Sequence, residues 1–300
     1  MKKKFGFGHK FNVERDFEGG HGPSTVSTLR LENLGPTEKI LLQLENTAGS
    51  SVISPGSLKQ LVDYVELRTG GSRLSMYTID QIIDVQMEYF HAVGGNPLVS
   101  GGNSNGILAI PFVFNQAIKH VAEQKLGRAG QGKLGDLTIK IKWKSTMITT
   151  IGRVRCYTLR SDIEDEAPGF IFTTTVVNAT QSTSDEHTFS GWSESRGRIV
   201  AIMLTEGSGE IESVRLTDGS KIHYDDVPVE ALRYFQRDHG RKPPAGWVIL
   251  DQLLTGTTAG GIQLDPNSDL VLQTRWKTAP GSFQIHAMYL TDVEKFVGKK

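Results

Sequence analysis

Cysteine occurs once in these 300 residues, at Cys156, so no intrachain disulfide can staple the fold and a cysteine-based zinc cluster is excluded. Net charge is equally absent, because 33 Lys and Arg balance 33 Asp and Glu. A chain that wraps nucleic acid electrostatically carries a basic excess, and a neutral one lacks the self-repulsion that holds copies apart. No run approaches the ~20 apolar residues of a membrane-spanning helix. Met1-Lys2-Lys3-Lys4 is not followed by the apolar stretch of a secretory leader. Catalytic signatures are missing too: the eight histidines show no H-E-x-x-H spacing, and no serine sits in a G-x-S-x-G elbow. Gly127-Arg128-Ala129-Gly130-Gln131-Gly132-Lys133 has the spacing of a phosphate loop. Leu134, however, stands where Ser or Thr must reach the metal, and the loop runs from a helical stretch into a strand instead of the reverse.

What the chain does contain is a pattern that occurs twice. Val65–Met76 and Val214–Tyr224 are each an alternating apolar run, a Gly-centred turn with a Ser followed by a basic residue, and a second run. That is the form of a β-hairpin. The surrounding elements recur in the same order. Thr25–Leu31 and Lys39–Leu44 correspond to His187–Trp192 and Arg198–Leu204. After the first hairpin, Ile79, Ile82, Ile83, Met87 and Phe90 have helical spacing behind Thr78 or Asp80 as N-cap. After the second, Pro228–Arg237 reads as a short helix with Val229, Leu232, Tyr234 and Phe235 as its apolar residues. Ile107–Phe114 corresponds to Trp247–Leu250, Leu137–Trp143 to Leu270–Trp276 with the same basic-Trp ending, and Arg153–Leu159 to Ser282–Leu290. Phe170–Val177 matches the start of the chain, Phe5–Val13. Ser50–Ser57, Gly94–Gly106 and Asn115–Leu126 read as loop, loop and helix, and Ser161–Gly169 as an acidic loop.

Short strands with regular turn signals, some apolar on both parities and some alternating, fit two facing antiparallel sheets. Each half therefore reads as an eight-stranded jelly roll. The whole is an all-β double jelly roll with short inserted helices, the first roll over residues 1–166 and the second over 167–300.

On Val65–Phe90, Ile107–Phe114 and Leu137–Trp143, echoed by Arg198–Phe235 and Trp247–Leu290, the chain resembles the double jelly-roll major capsid proteins of tailless icosahedral viruses. Within that family it is most similar to the compact, short-loop group of membrane-containing bacteriophages. The resemblance implies a structural protein, not an enzyme, that forms homotrimers as pseudo-hexagonal capsomers of an icosahedral shell. Two similar domains in each of three chains would present six near-equivalent sides. It also implies penton or minor capsid proteins as partners, a lipid membrane inside the shell, no sequence-specific nucleic acid contact, and synthesis in the host cytoplasm before incorporation into the virion capsid. No cofactor is implied.

Few residues suggest chemistry of their own. Asp162, Glu164, Asp165 and Glu166 offer hard oxygen donors suited to Ca²⁺. They lack the glycine hinge of a dedicated calcium loop, and a solvated acidic turn is the simpler reading. Lys2, Lys3, Lys4 and Lys10 near one terminus and Lys299 and Lys300 at the other form a local basic bias, suited to anionic headgroups or genome on the inside of a shell. Asp225 and Asp226 read as caps of the helix that follows them. Two rival functions carry their own requirements. A glycan- or amide-cleaving hydrolase needs converging carboxylates, and Asp225, Asp226 and Glu230 are the available set. A tandem carbohydrate-binding β-sandwich needs exposed aromatics on one sheet face, for which Trp192 and Trp247 are the candidates.

Overall fold

The computed structural model describes residues 9–31, 37–46, 55–90, 105–111, 136–147, 151–161, 170–193, 196–264 and 268–292. These fall into two compact units, which divide between Phe172 and Thr173, with Asp292 counted in the first.

The first unit contains β1 (His9–Asp16), β2 (Glu18–Gly19), β3 (Val26–Leu31), β4 (Thr37–Asn46), β5 (Val62–Thr69), β6 (Ser72–Thr78), β7 (Asn105–Pro111), β8 (Leu137–Trp143) and β9 (Ile151–Ser161). One sheet has the order β1-β9-β4-β7, and the other β2-β3-β8-β5-β6. The second unit repeats this with β10 (Phe170–Gln181), β11 (Glu186–Phe189), β12 (Arg198–Thr205), β13 (Glu210–Asp218), β14 (Lys221–Pro228), β15 (Trp247–Asp251), β16 (Ile262–Gln263), β17 (Leu270–Thr278) and β18 (Gly281–Asp292). Its sheets run β10-β18-β12-β15, with β16 attached to β12, and β11-β17-β13-β14. If the two-residue strands β2 and β16 are set aside, the two orders superimpose strand for strand. That shared crossing pattern is a jelly roll occurring twice, so the duplication read from the sequence is borne out.

The hairpins that mark the repeat are β5–β6 and β13–β14. Their two-residue turns work through glycine: Gly70 and Gly71 both have positive φ in the first, and Gly219 does in the second. This backbone is costly for residues with a Cβ and matches the right-handed strand twist. Strand β8 shows how local pattern becomes core. Leu137, Ile139, Ile141 and Trp143 are buried in strict alternation with the half-buried Thr138, Lys140 and Lys142. In β17, Leu270, Leu272, Thr274 and Trp276 are the buried parity. The two tryptophans occupy the seventh position of equivalent strands and sit in separate cores.

Burying an indole also buries its N–H, which must find an acceptor. Trp143 Nε1 donates to Ser27 Oγ at 2.7 Å. Ser27 Oγ in turn donates to the Gly20 carbonyl at 2.8 Å, and His21 Nδ1 lies 2.6 Å from the same hydroxyl oxygen. Ser27 is fully buried. Ser27→Ala is expected to cost about 1–3 kcal/mol, because it strands a buried indole donor while leaving apolar packing untouched. Urea titration monitored by tryptophan fluorescence measures it, and a loss within error of zero would mean that the network does not hold the strand.

Two helical details depart from the sequence reading. Pro55–Leu61 is a helix, α1, where the sequence reads as loop over Ser50–Ser57. Pro at its first position lacks an N–H that would be orphaned there anyway. The segment after β6 is helical as expected, but Gln81–Tyr89 is wound as a π-helix. Thr78 Oγ1 accepts from the Gln81 N–H at 3.3 Å, whereas Asp80 makes no side-chain cap. Gln81, Ile82, Ile83, Val85, Gln86, Met87 and Tyr89 are all buried. The readings for residues 94–104, 115–126 and 162–169 lie outside the described residues.

Candidate functional site

The second unit has its own helix at the corresponding place, α2 (Val229–Asp238) between β14 and β15. Four of its residues are apolar in the sequence reading, and the structure divides them. Val229, Leu232 and Gln236 face inward, a spacing of three and four residues that defines one side. Tyr234 and Phe235 lie on the other side, 71% and 55% exposed. The corresponding π-helix of the first unit shows no such outward aromatics, since its Tyr89 is buried.

Polar contacts hold α2 in place. Among the described residues β15 is the last strand of its sheet, and one row of its backbone carbonyls points away from its partner β12. Gln236 Nε2 donates to the Ile249 carbonyl, and Arg233 Nη2 donates to the Trp247 carbonyl at 3.2 Å. Arg233 also reaches Glu206 at 3.0 Å, and Glu206 Oε1 accepts from the Ile211 N–H. Side chains of α2 thus take the place of a missing strand along β15.

The helix stops abruptly. The Arg241 N–H bonds to the Gln236 carbonyl and the Gly240 N–H to the Arg237 carbonyl, both at 2.9 Å, with Gly240 at φ +77. This paired closure requires a left-handed residue, which glycine adopts without penalty. It delivers Arg241 to Asp251, where the two form an ion pair at 3.1 Å with the side chains 6% and 0% exposed. Asp251 Oδ1 also accepts the Leu253 N–H at 2.8 Å. A Cβ on Gly240 would meet no atom within 4 Å. Gly240→Ala is therefore expected to cost about 1 kcal/mol, through backbone strain alone. Thermal unfolding of the variant checks this, and an unchanged midpoint would refute it.

The carboxylates of the hydrolase reading do not form an active site. Asp225 faces Arg215 at 3.6 Å, Asp226 faces Arg275 at 3.6 Å and accepts the Ser213 hydroxyl, and Glu230 pairs with Lys277 at 3.2 Å. All three are solvated, and each is turned towards a cation of the outer sheet surface or its margin. The Glu230 carboxyl is held below its ordinary range by its own backbone N–H and by Lys277, which is opposite to what a general acid needs. Neither Asp225 nor Asp226 caps α2: its N-cap is Pro228, and it has no side-chain cap.

The aromatics of the sugar-binding reading are no better placed. Trp247 is buried, and Trp192 is half-buried, donating to the Leu270 carbonyl at 2.7 Å and packing edge-on to Phe189. Asp162, Glu164, Asp165 and Glu166 lie outside the described residues, as do Lys2, Lys3, Lys4, Lys299 and Lys300. Lys10 is on β1, opposite Arg160 of β9. Among the described residues no cluster of His, Cys, Asp and Glu is arranged to hold a metal ion, and no helix is long and apolar enough to cross a membrane.

Residues 171–293 match the family model of the viral coat protein P2 C-terminal domain. No curated protein sequence matches the chain. The fold is similar to the major capsid protein P2 of bacteriophage PM2, with a TM-score of 0.74 and 17% identity over 94% of this chain and 97% of that one. It is also similar to the major capsid protein of Sulfolobus turreted icosahedral virus (TM-score 0.64, 12% identity, 98% and 100% covered). The capsid of the virus PBCV-1 is a further likeness (0.61, 11%, 96% and 95%). At these identities the structural likeness establishes a shared double jelly-roll fold, and the family match lies in the second unit.

Proposed function

We propose, with the coat-protein domain of residues 171–293 as premise, that the chain is the major capsid subunit of an icosahedral virion. Its role is structural. It works by being covered with copies of itself, and the virion capsid is where it resides. The observation that carries this reading is the coincidence of that domain with a first unit of the same strand order. A tile with two near-equivalent halves gains most in a three-chain ring, where six similar sides meet their neighbours. The finer reading is therefore a homotrimer, a pseudo-hexagonal capsomer made in the host cytoplasm before it joins the lattice. Penton or minor capsid proteins would fill the vertices. An internal membrane is the surface offered to the lysines at the two termini, while the neutral overall charge argues against sequence-specific nucleic acid binding.

Light scattering coupled to size exclusion, followed by negative-stain microscopy, tests this. A trimer of 33.0 kDa chains that assembles into shells or sheets of hexagonal tiles is expected. A chain that stays monomeric at every concentration and ionic strength would sink the reading. Calcium is tested separately with chelator: assembled particles that weaken on its addition would support the acidic residues 162–166 as a cation site, and unchanged particles would count against it.

A further inference from the structure

We infer that the outward face of α2 is a contact between copies of this chain, with Tyr234 and Phe235 as its anchors. The inference rests on the capsid reading and says which surface the subunits use.

Two large aromatics side by side on one short helix, one 71% and the other 55% exposed, are costly to leave in water. Neither is needed to hold the helix, since Val229, Leu232, Gln236, Arg233 and the Arg241–Asp251 pair do that from the other side. The face is also stiff. Phe235 and His239 pack with ring centres 4.7 Å apart, and His239 Nδ1 lies 3.0 Å from the Phe235 carbonyl. An aromatic presented on a fixed support loses little freedom on binding, the usual property of interface hot spots.

The duplication points to a second copy as the occupant. The first unit carries its own helical segment at the same place between corresponding strands, and there Tyr89 and Phe90 are fully buried. In a ring of six near-equivalent units, corresponding segments meet corresponding surroundings. A neighbouring chain laid over α2 would give the second unit's segment the burial that its counterpart has. Charge is compatible with this, because Arg237 and Asp238 at the exposed margin bring both signs and the chain as a whole is neutral.

The test is Y234S/F235S in the full chain, alongside the conservative pair Y234F/F235Y and a photocrosslinking residue at position 234. The serine pair is expected to weaken trimer formation about a hundredfold or more while the unfolding midpoint of the monomer stays unchanged. The conservative pair should assemble like the parent, and the crosslinker should yield a species of twice the chain mass. Undiminished assembly of a folded serine variant, or a crosslinker that attaches only within its own chain, overturns the inference. A parent that never assembles would instead overturn the capsid reading beneath it, so the two failures are distinguishable.

Discussion

Asp251→Ala is expected to destabilise the second unit by about 3–5 kcal/mol, a large share of the ~5–15 kcal/mol that holds a typical domain folded. The magnitude comes from what is left behind. Arg241 is almost wholly buried, and the substitution would take away the Asp251 carboxylate at 3.1 Å. Breaking a buried pair by removing one member costs far more than the intact pair contributes. The double variant R241M/D251L removes both charges and keeps most of the volume, so it should recover much of the loss. Denaturant titration of the parent, both singles and the double decides the matter. If Asp251→Ala costs less than about 1 kcal/mol, the pair is not a keystone of the α2 closure.

Acid should weaken the same unit through His286. This ring is fully buried on β18, 5.1 Å from the Trp247 ring, with Nε2 3.2 Å from Gln284 Oε1. Burial depresses its pKa to about 3 from the ordinary 6.5. Above pH 6.5 the folded and unfolded chains both hold it neutral, and it makes no pH-dependent contribution. As pH falls below 6.5 the unfolded chain takes up a proton that the folded chain refuses, so stability drops by about 1.4 kcal/mol per pH unit. The decline ends near pH 3, by which point about 4–5 kcal/mol is gone. His187 and His223, in the same unit, are depressed in the same direction by burial and add to the slope. Comparison with His286→Met isolates the one group: the parent should lose about one proton's worth of slope more than the variant between roughly pH 6 and 4. Parallel stability curves for the two proteins would refute the assignment.

The parts of this fold that can be read from the sequence are those written in strict alternation. Leu137–Trp143 and Leu270–Trp276 announce which face is buried because a strand has a period of two, and every second residue agrees. The hairpins are equally legible, since glycine at Gly70, Gly71 and Gly219 is required by the turn itself. Helices are harder. In the nine residues Gln81–Tyr89 a π-helix and an α-helix place apolar residues too similarly to be told apart, and burial of Gln81 and Gln86 runs against composition. Pro55 has the composition of a loop marker and yet starts a helix.

The outward face of α2 is the least legible part, for a definite reason. Tyr234 and Phe235 have the composition of core residues, and only the positions of Val229, Leu232 and Gln236 around the helix turn them outward. Trp247 and Trp192 mislead in the opposite sense, as aromatics that could have formed a platform but are spent on packing and a carbonyl bond. The carboxylates Asp225, Asp226 and Glu230 look convergent along the chain, yet each faces a different cation.

Closure of β15 by side chains of α2 has a consequence for how the protein grows. A sheet that ends in open carbonyls and amides can be extended by any passing strand, and repeated extension of that kind yields fibres without limit. Here Arg233 and Gln236 occupy that edge. The opposite sheet ends in β14, where Lys221, Asp225, Asp226 and Pro228, with two register shifts against β13, make a poor template. Backbone pairing is thus discouraged at one edge of each sheet of the second unit, β15 and β14. At those two edges α2 and the irregular β14 discourage open-ended, strand-by-strand extension, so a contact made through the outward face of α2 would be set by side chains and not by the backbone.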